Sequence, residues 1–182
     1  KAITLDLRQA EGQEILKSLV AESDFLLENF RPGTLEKWGL GWSELSAINP
    51  RLIYCAISGF GQTGPERLGA GYDGKIQALS GIMSITGHAE TGPTRAGFAV
   101  CDVLSGATAA FGVSSALFQR THTGKGQLVD VSMLEATLAF LSGQVADYSV
   151  AGHRQQLSGN QAVSRRATAN LFKAGDGYLL LA

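Results

Sequence analysis

The sequence predicts an α/β fold built on an open, mostly parallel sheet flanked by helices, and three observations predict it. Strand-like and helical patterns alternate from Ala2 to Ile57. Two runs, Phe25–Leu27 and, within Arg51–Ile57, the six residues after Arg51, are apolar at consecutive positions, as in strands covered on both faces. A glycine-rich segment, Ser58–Pro65, follows the second run, where open α/β sheets present their ligand loops.

Taken in order, Ala2–Leu7 is β-branched and aliphatic and predicts a strand. Residues Ala10 to Val20 place Ile15, Leu16, Leu19 and Val20 on one helical face. After the strand at Phe25–Leu27, Pro32 and Gly33 mark a turn. Two short helical pieces flank Gly39–Gly41, Asn49–Pro50 ends them, and Arg51–Ile57 is the third strand. A helix over Lys75–Ser84, a loop over Thr86–Gly97 and a helix reaching Arg120 follow. Gln127–Ser132 is expected to lead into one long helix, with Ser132 and Glu135 as a capping box. In it Leu134, Leu138, Leu141, Val145 and Tyr148 form an apolar seam. Gly152–Ala169 is polar and irregular, and Asn170–Leu181 reads as a hairpin turning at Gly175–Gly177. The whole is a Rossmann-like α/β sheet with long C-terminal helices and a terminal hairpin.

Composition narrows the functional classes. The chain has 182 residues, 45% hydrophobic and 17% charged, enough for a sizeable core. Its net charge of −1 gives no electrostatic case for binding nucleic acid or an anionic membrane. Cys55 and Cys101 sit in apolar runs, as buried thiols of a reducing, cytoplasmic setting do. His88, His122 and His153 have no partner at metal or triad spacing, so no metal site is expected. The uncharged run Val103–Phe118 carries serines, a threonine and glycines, and reads as a buried core helix rather than a membrane span. Both ends fall within strand-like runs, so the chain is expected to be a piece of a longer protein.

Within that apolar run one acid stands out. Asp102 is the only charged side chain from Phe98 to Phe118, and Leu104, Phe111 and Phe118 behind it define a helical stripe. Asp102 therefore sits at a helix start, where free N–H groups and the helix dipole favour an anion. Two readings stay open on these residues alone: a helix cap, or a buried, pre-positioned carboxylate nucleophile. The nearby Gly59, Gly61 and Gly64 spell G-x-G-x-x-G, but Pro65, Gly69 and Gly71 keep the chain irregular and no acid follows at residues 81–86. A dinucleotide site is rejected, and the loop is read as backbone that approaches a ligand closely.

Several stretches together resemble the class III CoA-transferases, a family that includes formyl-CoA and carnitine CoA-transferases and α-methylacyl-CoA racemases. They are Leu5–Arg8, Glu28–Gly33, Ser58–Pro65, Gly71–Asp73, Asp102 with Gly106, Gly124–Gln127 and Asp130–Met133, in the family's order. The resemblance implies a CoA-binding large domain over residues 1–152, followed by a connection and the start of a second domain over 153–182. It implies a Rossmann-like fold in an interlocked homodimer, with no permanently bound cofactor.

The resemblance makes Asp102 the catalytic nucleophile. CoA would move from an acyl-CoA thioester to a carboxylic acid through an aspartyl mixed anhydride and an aspartyl-CoA thioester. It places Leu5, Asp6, Leu7, Arg8, Asn29, Phe30, Arg31, Lys37, Ala70, Gly71, Tyr72 and Asp73 at coenzyme A. Lys37 stands where the family often has Arg, so a point charge replaces a fork there. Tyr72 replaces the His that racemases of the family use as a base. A phenol is a poor base at neutral pH, which favours transfer over the alternative, racemisation of an α-methylacyl-CoA. A truncated CoA-binding module without activity is the non-enzymatic alternative. Asp130 is assigned to the helix start.

Overall fold

The computed structural model describes residues 2–164 and 166–182; Lys1 and Arg165 lie outside it. Three strands form one parallel sheet: β1 (Phe25–Glu28), β2 (Ile53–Ser58) and β5 (Gln127–Ser132), in the order β1-β2-β5. Two antiparallel ladders stand apart from it: β3 (Gly87–His88) with β4 (Gly92–Pro93), and the hairpin β6 (Asn170–Ala174) with β7 (Gly177–Leu181). The helices are α1 (Ala10–Ala21), α2 (Thr34–Lys37), α3 (Trp42–Ile48), α4 (Asp73–Leu79), α5 (Val100–Thr123), α6 (Met133–Phe140) and α7 (Ser142–Ala151).

The central strand β2 divides two cores by its alternation. Tyr54 and Ala56 face a core built with Val20 of α1, Leu35 of α2, Leu45 of α3 and Leu40 from the link between α2 and α3. Ile53 and Cys55 face the other way, onto Ala109, Val113 and Ala116 of α5. A third cluster of Ile76, Cys101 and Met133 ties α4, α5 and α6 together above the sheet. The far end of α5 is clamped: Arg120, its side chain 10% exposed, reaches the Asp24 carboxylate at 2.6 Å and the carbonyls of Asp24 and Arg51 at 3.2 and 2.9 Å.

The parallel sheet flanked by helices matches expectation, and several local readings need correction. Ala2–Leu7 is not a strand; it is irregular chain, with Leu7 already in a turn into α1 closed by Gln9 N–H and the Asp6 carbonyl, 3.1 Å apart, and the sheet pairs only β1, β2 and β5 among the described residues. Strand β1 is not covered on both faces, because α5 lies over β2 and β5; Phe25 and Leu27 are half exposed. The helix expected over Lys75–Ser84 ends at Leu79, and a short 3₁₀ turn, Ile82–Ile85, follows Gly81 at φ +84°. Gln127–Ser132, with Asp130, is the third strand of the sheet rather than a helix lead-in. The expected long C-terminal helix is two shorter ones broken at Leu141, and its seam is incomplete, since Val145 and Tyr148 are exposed. Only the Ser132 half of the capping box forms, with Ser132 Oγ accepting the Glu135 N–H at 3.2 Å.

Helix α5 is also less buried than expected. Its inward face carries the small residues Cys101, Ser105, Ala109, Val113 and Ala116, while Phe111 and Phe118 are 75% and 70% exposed. Small side chains let the helix lie close on the sheet; Gly112 leaves no room for a Cβ against Val129. The helix is thus half open rather than a buried core helix.

Candidate active site

The carboxyl ends of β1, β2 and β5 open onto a cavity of about 480 Å³, the place where open α/β sheets hold ligands. Leu27 and Asn29–Pro32 enter it from β1, Ile57–Gly59 from β2 and Met133 from β5. The start of α4 brings Tyr72 and Asp73, and the first two turns of α5 bring Asp102, Ser105 and Gly106.

Two backbones meet at the cavity floor. A Cβ on Gly59 would lie 2.6 Å from the Gly71 Cα, and a Cβ on Gly71 would strike Gly59 in turn. Only glycine at both positions lets the loop after β2 press against the loop before α4.

The carboxylate that caps α5 is Asp73, not Asp102. The N-cap residue of α5 is Ala99, which has no side chain able to cap. Asp73 Oδ1 instead accepts the Cys101 N–H at 2.9 Å, and Asp73 Oδ2 accepts from Gln77 Nε2 at 2.6 Å. Gln77 is fully buried, accepts the Ala96 N–H through Oε1 at 3.0 Å, and so holds the segment entering α5. Arg95 lies 3.7 Å from the same Asp73 oxygen. A buried charge needs such partners, and Asp73 is 9% exposed.

With the cap supplied by Asp73, Asp102 is left at the cavity wall. It is exposed rather than buried, and it lines the cavity. The surrounding walls still remove enough water to raise its pKa above the ordinary carboxylate value, and the charge of Asp73 adds to the rise. A carboxylate made more basic in this way is also a better nucleophile.

The expected contact residues separate into two groups. Asn29, Phe30, Arg31, Gly71, Tyr72, Asp73 and Asp102 share the cavity. Leu5, Asp6, Leu7, Arg8, Lys37 and Ala70 are not among its lining residues. Asp6 and Arg8 pair with each other at 2.9 Å on the surface before α1, which holds the Asp6 carboxyl below its usual value. Lys37 ends α2 and is exposed, and the Ala70 carbonyl accepts from Lys75 Nζ at 2.8 Å. Sequence reasoning missed Gln77. The four-residue spacing of Asp73 and Gln77 on one helix face was the available signal.

The CoA-transferase family III model matches residues 1–182. The chain belongs to this family. It is 46% identical over 177 residues to a succinyl-CoA–D-citramalate CoA-transferase of Chloroflexus aurantiacus, covering 97% of this chain and 44% of that relative. It is 38% identical over 182 residues to a succinate–glutarate CoA-transferase of Agrobacterium fabrum, covering 100% of this chain and 45% of that protein. The crystal structure of a CAIB/BAIF family protein from Brucella suis superposes with a TM-score of 0.93 at 39% identity, covering 100% of this chain and 48% of that one. The family III chain thus spans less than half the length of these relatives.

Proposed function

We propose that the protein carrying this chain is a CoA-transferase that moves CoA from an acyl-CoA to a carboxylic acid, with Asp102 as nucleophile. An Asp102 oxygen attacks the thioester carbonyl carbon, the C–S bond breaks, and CoA leaves as the thiolate. The product is a mixed anhydride. The thiolate attacks the aspartyl carbonyl of that anhydride, releases the first acid as its carboxylate and leaves an aspartyl-CoA thioester. An incoming carboxylate attacks this thioester, and the same two steps in reverse deliver the new acyl-CoA and free Asp102. Splitting one exchange into paired acyl transfers is covalent catalysis.

The observation that carries this reading is the division of labour between two acids at one cavity. Asp73 is fully engaged in holding the first turn of α5, and Asp102 on that turn is exposed and lines the cavity. Family membership supports the CoA chemistry. Arg31 in the cavity suits a phosphate, and the surface group Leu5–Arg8 and Lys37 is assigned to the nucleotide end of CoA.

The test is to incubate the intact protein with acyl-CoA and hydroxylamine and locate the adduct by peptide mass spectrometry. A hydroxamate on Asp102 is expected, and Asp102→Ala loses exchange by at least a thousandfold, on the order of removing a covalent catalyst. Full exchange activity in Asp102→Ala would overturn the assignment. We also propose a homodimer, supported by the exposed apolar side chains Val103, Phe111 and Phe118 of α5 and Phe25 and Leu27 of β1. A patch of this kind marks a protein contact.

A further inference from the structure

Gln77 lies behind the cavity rather than in it. It is not among the lining residues, and its side chain is fully buried. Yet both polar atoms of its amide are engaged, and every partner leads to the start of α5. Nε2 donates to Asp73 Oδ2 at 2.6 Å and to the Phe98 carbonyl at 3.4 Å. Oε1 accepts the Ala96 N–H at 3.0 Å. Asp73 Oδ1 in turn accepts the N–H of Cys101, the residue before Asp102. One amide thus ties α4 to the stretch of backbone that delivers Asp102.

The partners fix the sense of this bridge. With the amide turned over, Oε1 would face the Asp73 carboxylate and Nε2 would face the Ala96 N–H, acceptor against acceptor and donor against donor. A carboxyl group of the same shape reproduces the pattern only while protonated, with an O–H for Asp73 and an acceptor for Ala96. Once ionised it only accepts, and it sets a second negative charge against Asp73. The charged and titratable groups at this point are Asp73 on α4, Cys101 and Asp102 on α5, and Arg95 on the loop before α5. Arg95 is 3.7 Å from Asp73 and its side chain is 64% exposed, so water screens it. Lys75, also on α4, is turned to the Ala70 carbonyl and the Phe60 ring. Helix α6 meets Cys101 with Met133 and Thr137, which carry no charge.

We propose that Gln77 is a positioning residue for CoA transfer: its amide locks Asp73 to the segment Ala96–Phe98 and so fixes the place and aim of Asp102 without touching substrate. This rests on the CoA-transferase reading. The cavity residues Asn29–Arg31 belong to the end of β1 and not to the bridge, so its loss slows the chemistry and leaves binding intact.

The experiment is Gln77→Glu in the intact protein, with kcat and KM of variant and wild type compared at each pH from about 5 to about 9, the range in which a buried glutamate gives up its proton. The expected kcat is within about threefold of wild type at the acid end and about a hundredfold below it at the alkaline end, the loss expected of a misplaced reacting group. KM for acyl-CoA stays at the wild-type value, and the near-ultraviolet circular dichroism of the variant matches wild type throughout. Gln77→Leu, which cannot form the bridge in any protonation state, is slow at every pH. A ratio of Gln77→Glu to wild-type kcat that does not fall as the pH rises, a loss carried by KM, a loss that coincides with unfolding, or a Gln77→Leu protein as fast as wild type would each overturn the proposal. The two readings separate. Wild-type exchange that depends on Asp102, beside a flat ratio for Gln77→Glu, refutes the Gln77 role alone. Exchange that survives Asp102→Ala, or a wild-type protein that exchanges nothing, refutes both.

Discussion

Replacing Glu28 with Gln tests whether the edge of the sheet stores a pH-dependent electrostatic cost. Glu28 ends β1 in register with Ala56, which is itself paired with Asp130 of β5. The row thus holds two acids either side of an alanine, with Glu36 close by. Burial raises the Glu28 pKa from 4.5 to about 7; Glu36 and Asp130 add to the rise, and the Phe30 N–H, 2.7 Å from the carboxylate, opposes it. A shift of that size is worth about 3 kcal/mol, and the partly exposed side chain reduces what is realised to about 1–2 kcal/mol. The folded state holds the proton more tightly than the unfolded chain. Its contribution to stability is therefore complete below pH 4.5 and is lost as the pH rises through 7. Glutamine keeps the acceptor for Phe30 N–H and removes the charge. Glu28→Gln is expected to be about 1–2 kcal/mol more stable than wild type at pH 8 and equal to it at pH 4.5, read from urea unfolding across that range. A difference between the two proteins that stays constant with pH would refute the reasoning.

Two further outcomes follow from the cavity and the open flank. Asp73→Asn sets its amide against the amide of Gln77 and removes a charge near Asp102, so stability falls by about 1–3 kcal/mol and the acid limb of the exchange rate moves to lower pH; an acid limb that stays or moves up would contradict the role given to Asp73. Phe118→Glu places a charge on the exposed face of α5, and sedimentation of the intact protein should then show at least a tenfold weaker dimer; wild-type protein that sediments as a monomer ends the dimer proposal.

The sequence made β2 legible, because Ile53–Ile57 is apolar at every position, as a strand covered on both faces is. The same logic failed at Phe25–Leu27. An apolar run looks the same whether a helix covers it or not, and coverage depends on where α5 lies. Ala2–Leu7 has strand composition, but a strand exists only through its pairing, which lies in distant chain. In α5 the apolar run reads as a buried core helix, yet its large side chains Phe111 and Phe118 stay exposed. The sheet instead takes Ser105, Ala109 and Ala116, since close approach of a helix rewards small residues over large ones. At the site, Asp102 stood out through its isolation, and Asp73 through its place before a helix. The transfer of the cap from one acid to the other was invisible, because it depends on the contact between α4 and α5. The bridge from Gln77 to Ala96 was hidden for the same reason: a partner is a property of the fold and not of the residue.

The Arg120 clamp bears on Asp102 through the rigidity of the helix between them. Eighteen residues separate the two, a rod of about 27 Å at 1.5 Å per residue. One end is pinned to the starts of two strands by a nearly buried guanidinium, and the other carries the acid into the cavity. Such a rod turns a small tilt at its pinned end into a sideways displacement at its tip. The aim of the carboxylate is therefore set jointly by Asp73 beside it and by a cation at the opposite pole of the sheet, and substitutions around Asp24, Arg51 and Arg120 reach the cavity without touching it.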